Sequence, residues 1–152
     1  MEEIDFGKLL RQTLADMDGE IQKSPYKFKI DIPKEAVMVY ADGDRMYRVF
    51  QNLIGNALKY SLEGSRIYIS LKTEKNAAVA DIRNTSRSEL KQDVDFPARF
   101  TRGDESRTDG GSGLGLSIAK SFTEACGGTF EVETMADLFT VKVSFEQKKC
   151  NV

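Results

Sequence analysis

The chain has 152 residues, of which 40% are hydrophobic, and this length and composition predict one globular domain with a single core. A formal net charge of -2 excludes a broad electrostatic attraction to nucleic acid or to an anionic membrane, so any anion site is expected to be local. The absence of histidine removes the commonest general base and metal ligand, and it excludes phosphohistidine chemistry on this chain itself.

The first third of the chain is predicted to form a helix followed by a hairpin. Apolar residues recur at helical spacing within residues 1–23 and predict a joining helix, which Ser24-Pro25 ends. Residues 28–32 alternate between apolar and charged side chains, and residues 37–40 form a second short strand pattern. We expect these two strands to pair with each other.

The middle of the chain is predicted to form a long helix and a second hairpin. Residues 41–44 read Ala-Asp-Gly-Asp and offer an N-cap for a helix that runs to Tyr60. Residues 66–73 and 77–84 alternate apolar and polar side chains around a Glu-Lys-Asn turn. This pattern predicts a β-hairpin.

A polar segment over residues 85–112 shows no periodicity, which is typical of a functional lid or a disordered insertion. Residues 114–126 then predict a helix that ends at two glycines, 127–128. Residues 129–134 and 138–145 predict a last hairpin. Because the strands come as hairpins, we expect an α/β (α+β) fold with a mixed, mostly antiparallel sheet and helices on one face.

The cysteines and the apolar runs predict a cytoplasmic protein. Cys126 and Cys150 show no CxxC or Cys/His spacing and are expected to be free thiols in a reducing compartment. No apolar run approaches the length needed to span a bilayer, and Met1-Glu2-Glu3 does not resemble the basic start of a signal peptide. We therefore expect no direct membrane contact by this domain.

The glycine-rich stretch DGGSGLGLSIAK, residues 109–120, runs directly into the apolar helix. The backbone N–H groups of such a loop, with the N-terminus of the helix, can bind phosphate. The stretch lacks the Gly-Lys-Ser/Thr of a P-loop, and a dinucleotide fingerprint would need a glycine where Ile118 stands. A purely structural turn remains the alternative to an anion site.

A polar stripe runs along the helix that ends at Tyr60. Helical spacing places Asn52, Asn56, Lys59 and Tyr60 on one side, opposite the apolar residues that predict the core face. Asparagine is a poor helix former, so two of them in mid-helix are unusual. They either make local hydrogen bonds or offer amide oxygens, which are hard ligands suited to Mg²⁺.

Three linked motifs resemble the ATP-binding catalytic domain of sensor histidine kinases, whose superfamily includes gyrase, mismatch-repair and heat-shock ATPases. NLIGNALKYS at 52–61 resembles the N box of that family, FPARFTRGDESR at 96–107 its F box, and GGSGLGLSIAK at 110–120 its second glycine-rich box. The resemblance covers the whole chain, 1–152. It implies a two-layer α/β sandwich with an ATP lid over residues 85–112.

The resemblance also implies a site that holds ATP and Mg²⁺. Its implied catalytic residues are Asn56, Lys59 and Arg102, the last as an arginine of the lid. Its implied nucleotide-binding residues are Asn52, Tyr60, Asn84, Gly111, Gly113, Leu114, Gly115 and Leu116. Asn56, with Asn52 beside it, is implied to ligate Mg²⁺, and backbone amides of the glycine-rich box are implied to bind the phosphates.

The chain departs from the family at its first glycine-rich box, where the pattern DxGxG is replaced by RNTSRSEL. Asn84 stands at the position of the aspartate that accepts from the adenine amino group, and Ser86 replaces the first glycine. An asparagine oxygen still accepts this hydrogen bond but without negative charge. We expect ATP affinity lower by about 1 kcal/mol, and a loss of affinity in Asn84→Ala.

Because this chain has no histidine, the resemblance implies that the phosphoacceptor lies on a separate dimerisation domain, with a response regulator downstream. The resemblance further implies that this is the cytoplasmic domain of a membrane-bound sensor. We expect a monomer as isolated, with no nucleic acid partner. One alternative is a nucleotide-free interaction module of the same fold, which the altered adenine box favours. Another is a serine-protein kinase of the anti-sigma type, which the F-box match disfavours. The lack of a glutamate in the N box disfavours an autonomous gyrase-like ATPase.

Overall fold

The computed structural model describes residues 1–87 and 114–147. Within these ranges lie four helices: α1 (Phe6–Asp16), α2 (Asp18–Lys23), α3 (Gly43–Tyr60) and α4 (Leu114–Ala125). The strands there are β1 (Glu2–Asp5), β2 (Lys27–Asp31), β3 (Met38–Ala41), β4 (Arg66–Glu74), β5 (Ala77–Thr85), β6 (Thr129–Met135) and β7 (Leu138–Glu146). Beyond Arg87, the predicted lid lies outside the described residues.

The main sheet has five strands in the order β2-β4-β5-β7-β6. Strand β2 runs parallel to β4, and the other neighbours are antiparallel. A separate two-stranded antiparallel sheet joins β1 to β3. The helices lie on one side of the mixed sheet, which confirms the predicted fold class.

The core lies between the helices and one face of the sheet. Phe6 of α1 contacts Phe50 of α3 and Phe145 of β7, with ring centroids 5.2 and 5.5 Å apart. Alternate residues of β4, such as Ile67 and Ile69, are fully buried on the same face. Aromatic side chains of this size contribute much of the apolar area in a core, so Phe6 ties α1 to both layers.

Local sequence signals set several element boundaries as predicted. The Asp42 carboxylate caps α3 by accepting from the N–H groups of Asp44 and Arg45 at 3.0 and 3.2 Å. Lys75 and Asn76 both have positive φ in the β4–β5 turn, as a two-residue hairpin connection requires. Gly127, with φ of +89°, ends α4. The hairpins β4–β5 and β6–β7 are thus confirmed.

The predicted pairing of residues 28–32 with 37–40 is wrong. Strand β2 pairs with β4 in parallel, and β3 pairs with β1. The parallel pairing brings Phe28 and Ile30 beside the buried Ile67 and Ile69, so the apolar face of β2 extends the core side of the main sheet. The hairpin prediction relied on the short connection between β2 and β3. The apolar contacts that β2 makes beside β4 stabilise the long-range pairing instead.

The predicted helix within residues 1–23 is present as two helices, α1 and α2, that end at Lys23 before Ser24-Pro25 as predicted, but it is neither continuous nor helical from the start. Residues Glu2–Asp5 form a strand, and Met17 separates α1 from α2. Asp5 ends the strand and begins the helix, because its Oδ1 accepts from the N–H groups of Gly7 and Lys8 at 3.1 and 3.2 Å. Since Phe6 and Leu10 are fully buried, α1 is part of the core of this domain.

Candidate functional site

The predicted polar stripe of α3 lies off the buried face of that helix. Its core face consists of residues that are at most 2% exposed: Met46, Val49, Phe50, Leu53, Ile54 and Ala57. Leu58, at the edge of this face, is only partly buried. Asn52, Asn56 and Tyr60 are partly buried, and Lys59 is exposed. The stripe is therefore available to a ligand at the margin of the core.

The first turn of α4 lies against Asn52. A Cβ atom built on Gly115 would lie 3.8 Å from the Asn52 Cβ and 3.9 Å from its Cγ. Leu116 is 1% exposed and Ala119 is fully buried, so apolar contacts fix this end of α4 to the core. The guanidinium of Arg45 lies 5.7 Å from the centre of the Phe122 ring and makes a further contact between α3 and α4.

The side-chain amide of Asn52 is buried without a hydrogen-bond partner among the described residues. A buried donor without a partner costs about 1–3 kcal/mol. The N–H groups at the start of a helix likewise lack intrahelical partners, and α4 begins at Leu114, one residue before Gly115. An oxygen-rich ligand between these groups would satisfy both sets of donors, so the residues present fit a phosphate.

Amide oxygens, rather than clustered carboxylates, are the groups in this region that could ligate a cation. The described ranges contain no group of three or more cysteine, aspartate or glutamate residues that could hold a metal ion. Mg²⁺ accepts amide oxygens and takes its remaining ligands from water and phosphate, so Asn52 and Asn56 fit that ion.

Asn84 lies near the end of β5 and is 3% exposed. In the sheet register it stands between Ile67 of β4 and Phe139 of β7. Because Ile67 is a buried core residue, Asn84 faces the layer between the sheet and the helices. A buried carboxamide at this place can both accept and donate hydrogen bonds.

The segment after β5 is tied to the C-terminal end of α3, a feature that sequence analysis missed. The Arg87 backbone N–H donates to the Tyr60 carbonyl at 3.0 Å, and its Nη2 donates to the Lys59 carbonyl at 2.6 Å. A cation at a helix C-terminus is favourable. The available signal was an arginine two residues after the strand that carries Asn84.

Several predicted site residues lie outside the described residues: Arg102, Gly111 and Gly113. The structure does not describe the side chain of Leu114, although α4 begins at that residue. Among the rest, it brings Asn52, Gly115 and Leu116 together. No helix within residues 1–87 and 114–147 is long and apolar enough to cross a membrane.

Comparison with known proteins identifies the protein family of this chain. Residues 41–148 match the family model described as histidine kinase-, DNA gyrase B-, and HSP90-like ATPase. The chain therefore belongs to this family. Within the family it is an ATP-binding catalytic domain of the sensor histidine kinase type, the class of kinases that acts in two-component signal transduction.

Similar proteins support this placement. Sensor histidine kinase YcbM of Bacillus subtilis is 36% identical over 135 residues, which cover 86% of this chain and 43% of YcbM. Sensor protein KdpD of Clostridium acetobutylicum is 36% identical over 110 residues, which cover 70% of this chain and 12% of KdpD. The chain thus spans less than half the length of these relatives.

Solved structures show the same fold. The catalytic domain of histidine kinase ThkA matches with a TM-score of 0.81 at 22% identity, covering 97% of each chain. Full-length ShkA, solved in complex with AMPPNP, matches with a TM-score of 0.75 at 20% identity and covers 98% of this chain and 31% of ShkA.

Proposed function

We propose that this chain binds Mg·ATP between α3 and the start of α4 and donates the γ-phosphoryl group to a histidine on a separate dimerisation domain. A response regulator would receive the group next. The observation that carries the proposal is the buried amide nitrogen of Asn52 beside Gly115, which has no hydrogen-bond partner among the described residues. Phosphate oxygens accept from such an amide and from the first N–H groups of a helix. The AMPPNP in the similar ShkA structure supports a triphosphate in this fold.

Each side chain of the site has a role that follows from its chemistry. Asn56 and Asn52 would offer amide oxygens to Mg²⁺. Lys59 would place positive charge near the phosphates, and Asn84 would accept from the adenine amino group. Arg102 is proposed as the lid arginine at the terminal phosphates. The remaining proposed contacts are Tyr60 and the backbone of Gly111, Gly113, Leu114, Gly115 and Leu116.

The chemistry requires positioning more than covalent participation by this chain. When bound, Mg·ATP supplies the phosphoryl group: the bond from the γ-phosphorus to the bridging oxygen breaks, a bond to the acceptor imidazole nitrogen forms, and ADP leaves. The residues of this chain bind and orient the nucleotide and neutralise its charge. Because the chain contains no histidine, the acceptor must lie on another domain.

Substituting Gly115 should change nucleotide affinity and stability in opposite directions. The added methyl of Gly115→Ala would lie in ordinary contact with Asn52, since the nearest atom is 3.8 Å away, so folding should be unharmed. Replacing a helical glycine should raise the free energy of unfolding by about 0.5 kcal/mol. The methyl would separate the Asn52 amide from the phosphates. We expect the dissociation constant for ATP to rise about tenfold, the equivalent of one strong hydrogen bond.

Gly19→Ala is the matched control, because Gly19 lies in α2 and a Cβ atom built on it would have no neighbouring atom within 4 Å. This variant should gain stability without any change in nucleotide affinity. Calorimetric titration with a non-hydrolysable ATP analogue measures the affinity, and urea unfolding measures the stability. Equal affinity of Gly115→Ala and the parent chain would place the nucleotide elsewhere.

A further inference from the structure

Strand β2 presents an open edge of the main sheet. Within residues 1–87 and 114–147, β2 pairs with β4 on one side and with no strand on the other. The Lys27 N–H donates to the Ser65 carbonyl at 3.2 Å, on the β4 side. Because backbone groups alternate in direction along a strand, the N–H and C=O groups of Phe28 and Ile30 point away from β4. They are available to an added strand.

An apolar groove lies on the helix side of this edge. Its volume is about 410 Å³, and its lining is mixed: Leu14, Ile21, Tyr26, Phe28 and Ile30 give an apolar floor, and Asp18, Gln22 and Ser24 add polar groups from α2 and the residue after it. The side chain of Ile30 is 50% exposed there, although its sheet neighbour Ile69 is fully buried. An apolar side chain placed in this groove would cover Ile30.

A polar groove lies on the other face of the same edge. Its volume is about 300 Å³, and its charged lining is Lys29, Asp31, Lys72, Asp81 and Arg83. Lys72 is engaged with Asp81 at 3.9 Å, whereas Lys29 makes no ion pair with a described residue. The positive charges exceed the negative ones, so this groove favours an acidic side chain.

We propose that the open edge of β2 binds an extended segment of another polypeptide as an added strand, in which apolar and acidic side chains alternate. Side chains of a strand point to opposite faces in turn, so the apolar ones would enter the groove beside α1 and α2. The acidic ones would meet Lys29 on the other face. Main-chain hydrogen bonds to Phe28 and Ile30 would supply affinity independent of side chains.

The charges of the two sheet edges distinguish β2 from β6. Lysine on an edge strand discourages pairing with neutral or basic strands, and Lys27 and Lys29 would do so here. The same lysines attract an acidic strand. Strand β6, at the far edge, carries Glu131 and Glu133 and no lysine, and because Lys142 of β7 already pairs with Glu133 at 3.3 Å, β6 offers an acidic strand less attraction than β2. The proposed partner is thus selected by charge as well as by shape.

The test uses the full chain and two short capped peptides, one alternating valine with glutamate and the other alternating valine with lysine. We expect the glutamate peptide to bind at least tenfold more tightly in an NMR titration, with new hydrogen-exchange protection at the amides of Phe28 and Ile30. Ile30→Ser should weaken this binding about tenfold through the lost apolar contact. Lys29→Glu should transfer the preference to the lysine peptide.

Two controls separate edge pairing from general adhesion. Met135→Ser removes an apolar side chain, 71% exposed, from the far edge strand and should leave peptide binding unchanged. A glutamate peptide N-methylated along one edge should lose its affinity, because it cannot complete the backbone ladder. The proposal is overturned if the glutamate peptide fails to bind at millimolar concentration, or if both peptides bind equally. Protection of the Phe28 and Ile30 amides in the free chain would also overturn it, since the chain or a second copy would then cover the edge.

Discussion

At the residue scale, Asn52 and Gly115 depend on each other. The asparagine amide nitrogen is buried without a partner among the described residues, and the glycine places no side chain beside it. Natural cores seldom retain an unpaired donor, because each one reduces stability. The oxygen-rich ligand proposed above would complete the hydrogen bonds of this pair.

Asp81 is a second residue with an unsatisfied atom, on the outer face of the sheet. Its side chain is 8% exposed, its Oδ2 lies 3.9 Å from the Lys72 ammonium, and its Oδ1 has no hydrogen-bond partner among the described residues. Burial raises the pKa of this carboxyl above its usual range, and nearby positive charges oppose the effect only in part. The ionised form is therefore destabilised in the folded chain.

The pH dependence of Asp81→Asn follows from this shift. Because the folded-state pKa is the higher one, the folded chain binds the proton more readily than the unfolded chain. That stabilisation is complete below the unfolded pKa of about 3.9 and is lost as the pH rises through the folded value. We expect Asp81→Asn to be more stable than the parent at pH 7, by about 1 kcal/mol.

Urea unfolding of both proteins between pH 3 and pH 7 measures this difference. The advantage of the variant should shrink as the pH falls and disappear near the unfolded pKa of about 3.9. Asp31→Asn, an exposed carboxyl on the same face of the sheet, is the control and should change stability little across the range. An advantage that grows at low pH would contradict the assigned direction.

At the element scale, the junction between α3 and the segment after β5 connects the two sides of the candidate site. Leu62 donates to the Thr85 carbonyl at 2.8 Å, and Arg87 donates twice to the last carbonyls of α3. Helix α3 carries the asparagine stripe, and β5 carries Asn84. The junction therefore fixes the position of Asn84 relative to the asparagine stripe.

Removing the Arg87 side chain should loosen this junction modestly. Arg87→Ala loses the hydrogen bond to the Lys59 carbonyl and the positive charge at the C-terminus of α3. We expect the free energy of unfolding to fall by about 0.5 kcal/mol at low salt, and by less at high salt because the charge is screened. Arg87→Lys keeps the charge and should recover part of the loss. Stability equal to the parent in Arg87→Ala at low salt would contradict this role.

The elements that local signals specify were predictable from sequence. Asp42 caps α3, and the Lys75-Asn76 turn fixes the β4–β5 register, as expected from the sequence. The pairing of β2 with β4 was not predictable, because it joins residues from distant parts of the chain. The interruption of the first helical segment at Met17 was missed, because the helical spacing of the apolar residues continues across that residue.

The same distinction between local sequence signals and long-range contacts applies to the candidate functional site. Asn52, Asn56, Lys59 and Tyr60 were found because they share one helix, so their spacing alone predicts a common face. Arg87 was missed because its contact with α3 depends on the tertiary fold.

At the scale of the whole molecule, the chain combines two surfaces with different chemistry. The stripe on α3 and the start of α4 would bind nucleotide, and the open edge of β2 would bind an extended polypeptide. Ile30 lies in the edge strand and not among the proposed nucleotide contacts, so Ile30→Ser should leave nucleotide affinity unchanged. The two proposals can therefore fail independently.

The central claim is that Mg²⁺ and a triphosphate bind together at the asparagine stripe, and calorimetric titration with AMPPNP and ADP, with and without Mg²⁺, tests it most directly. We expect Mg²⁺ to strengthen AMPPNP binding. The Asn56→Ala variant should lose this gain in affinity. The Gln51→Ala variant should keep it, because the carboxamide of Gln51 lies on α3 away from the stripe. No binding at millimolar nucleotide would contradict the claim, and the fold would then act as a nucleotide-free interaction module with an altered adenine box at Asn84 and Ser86.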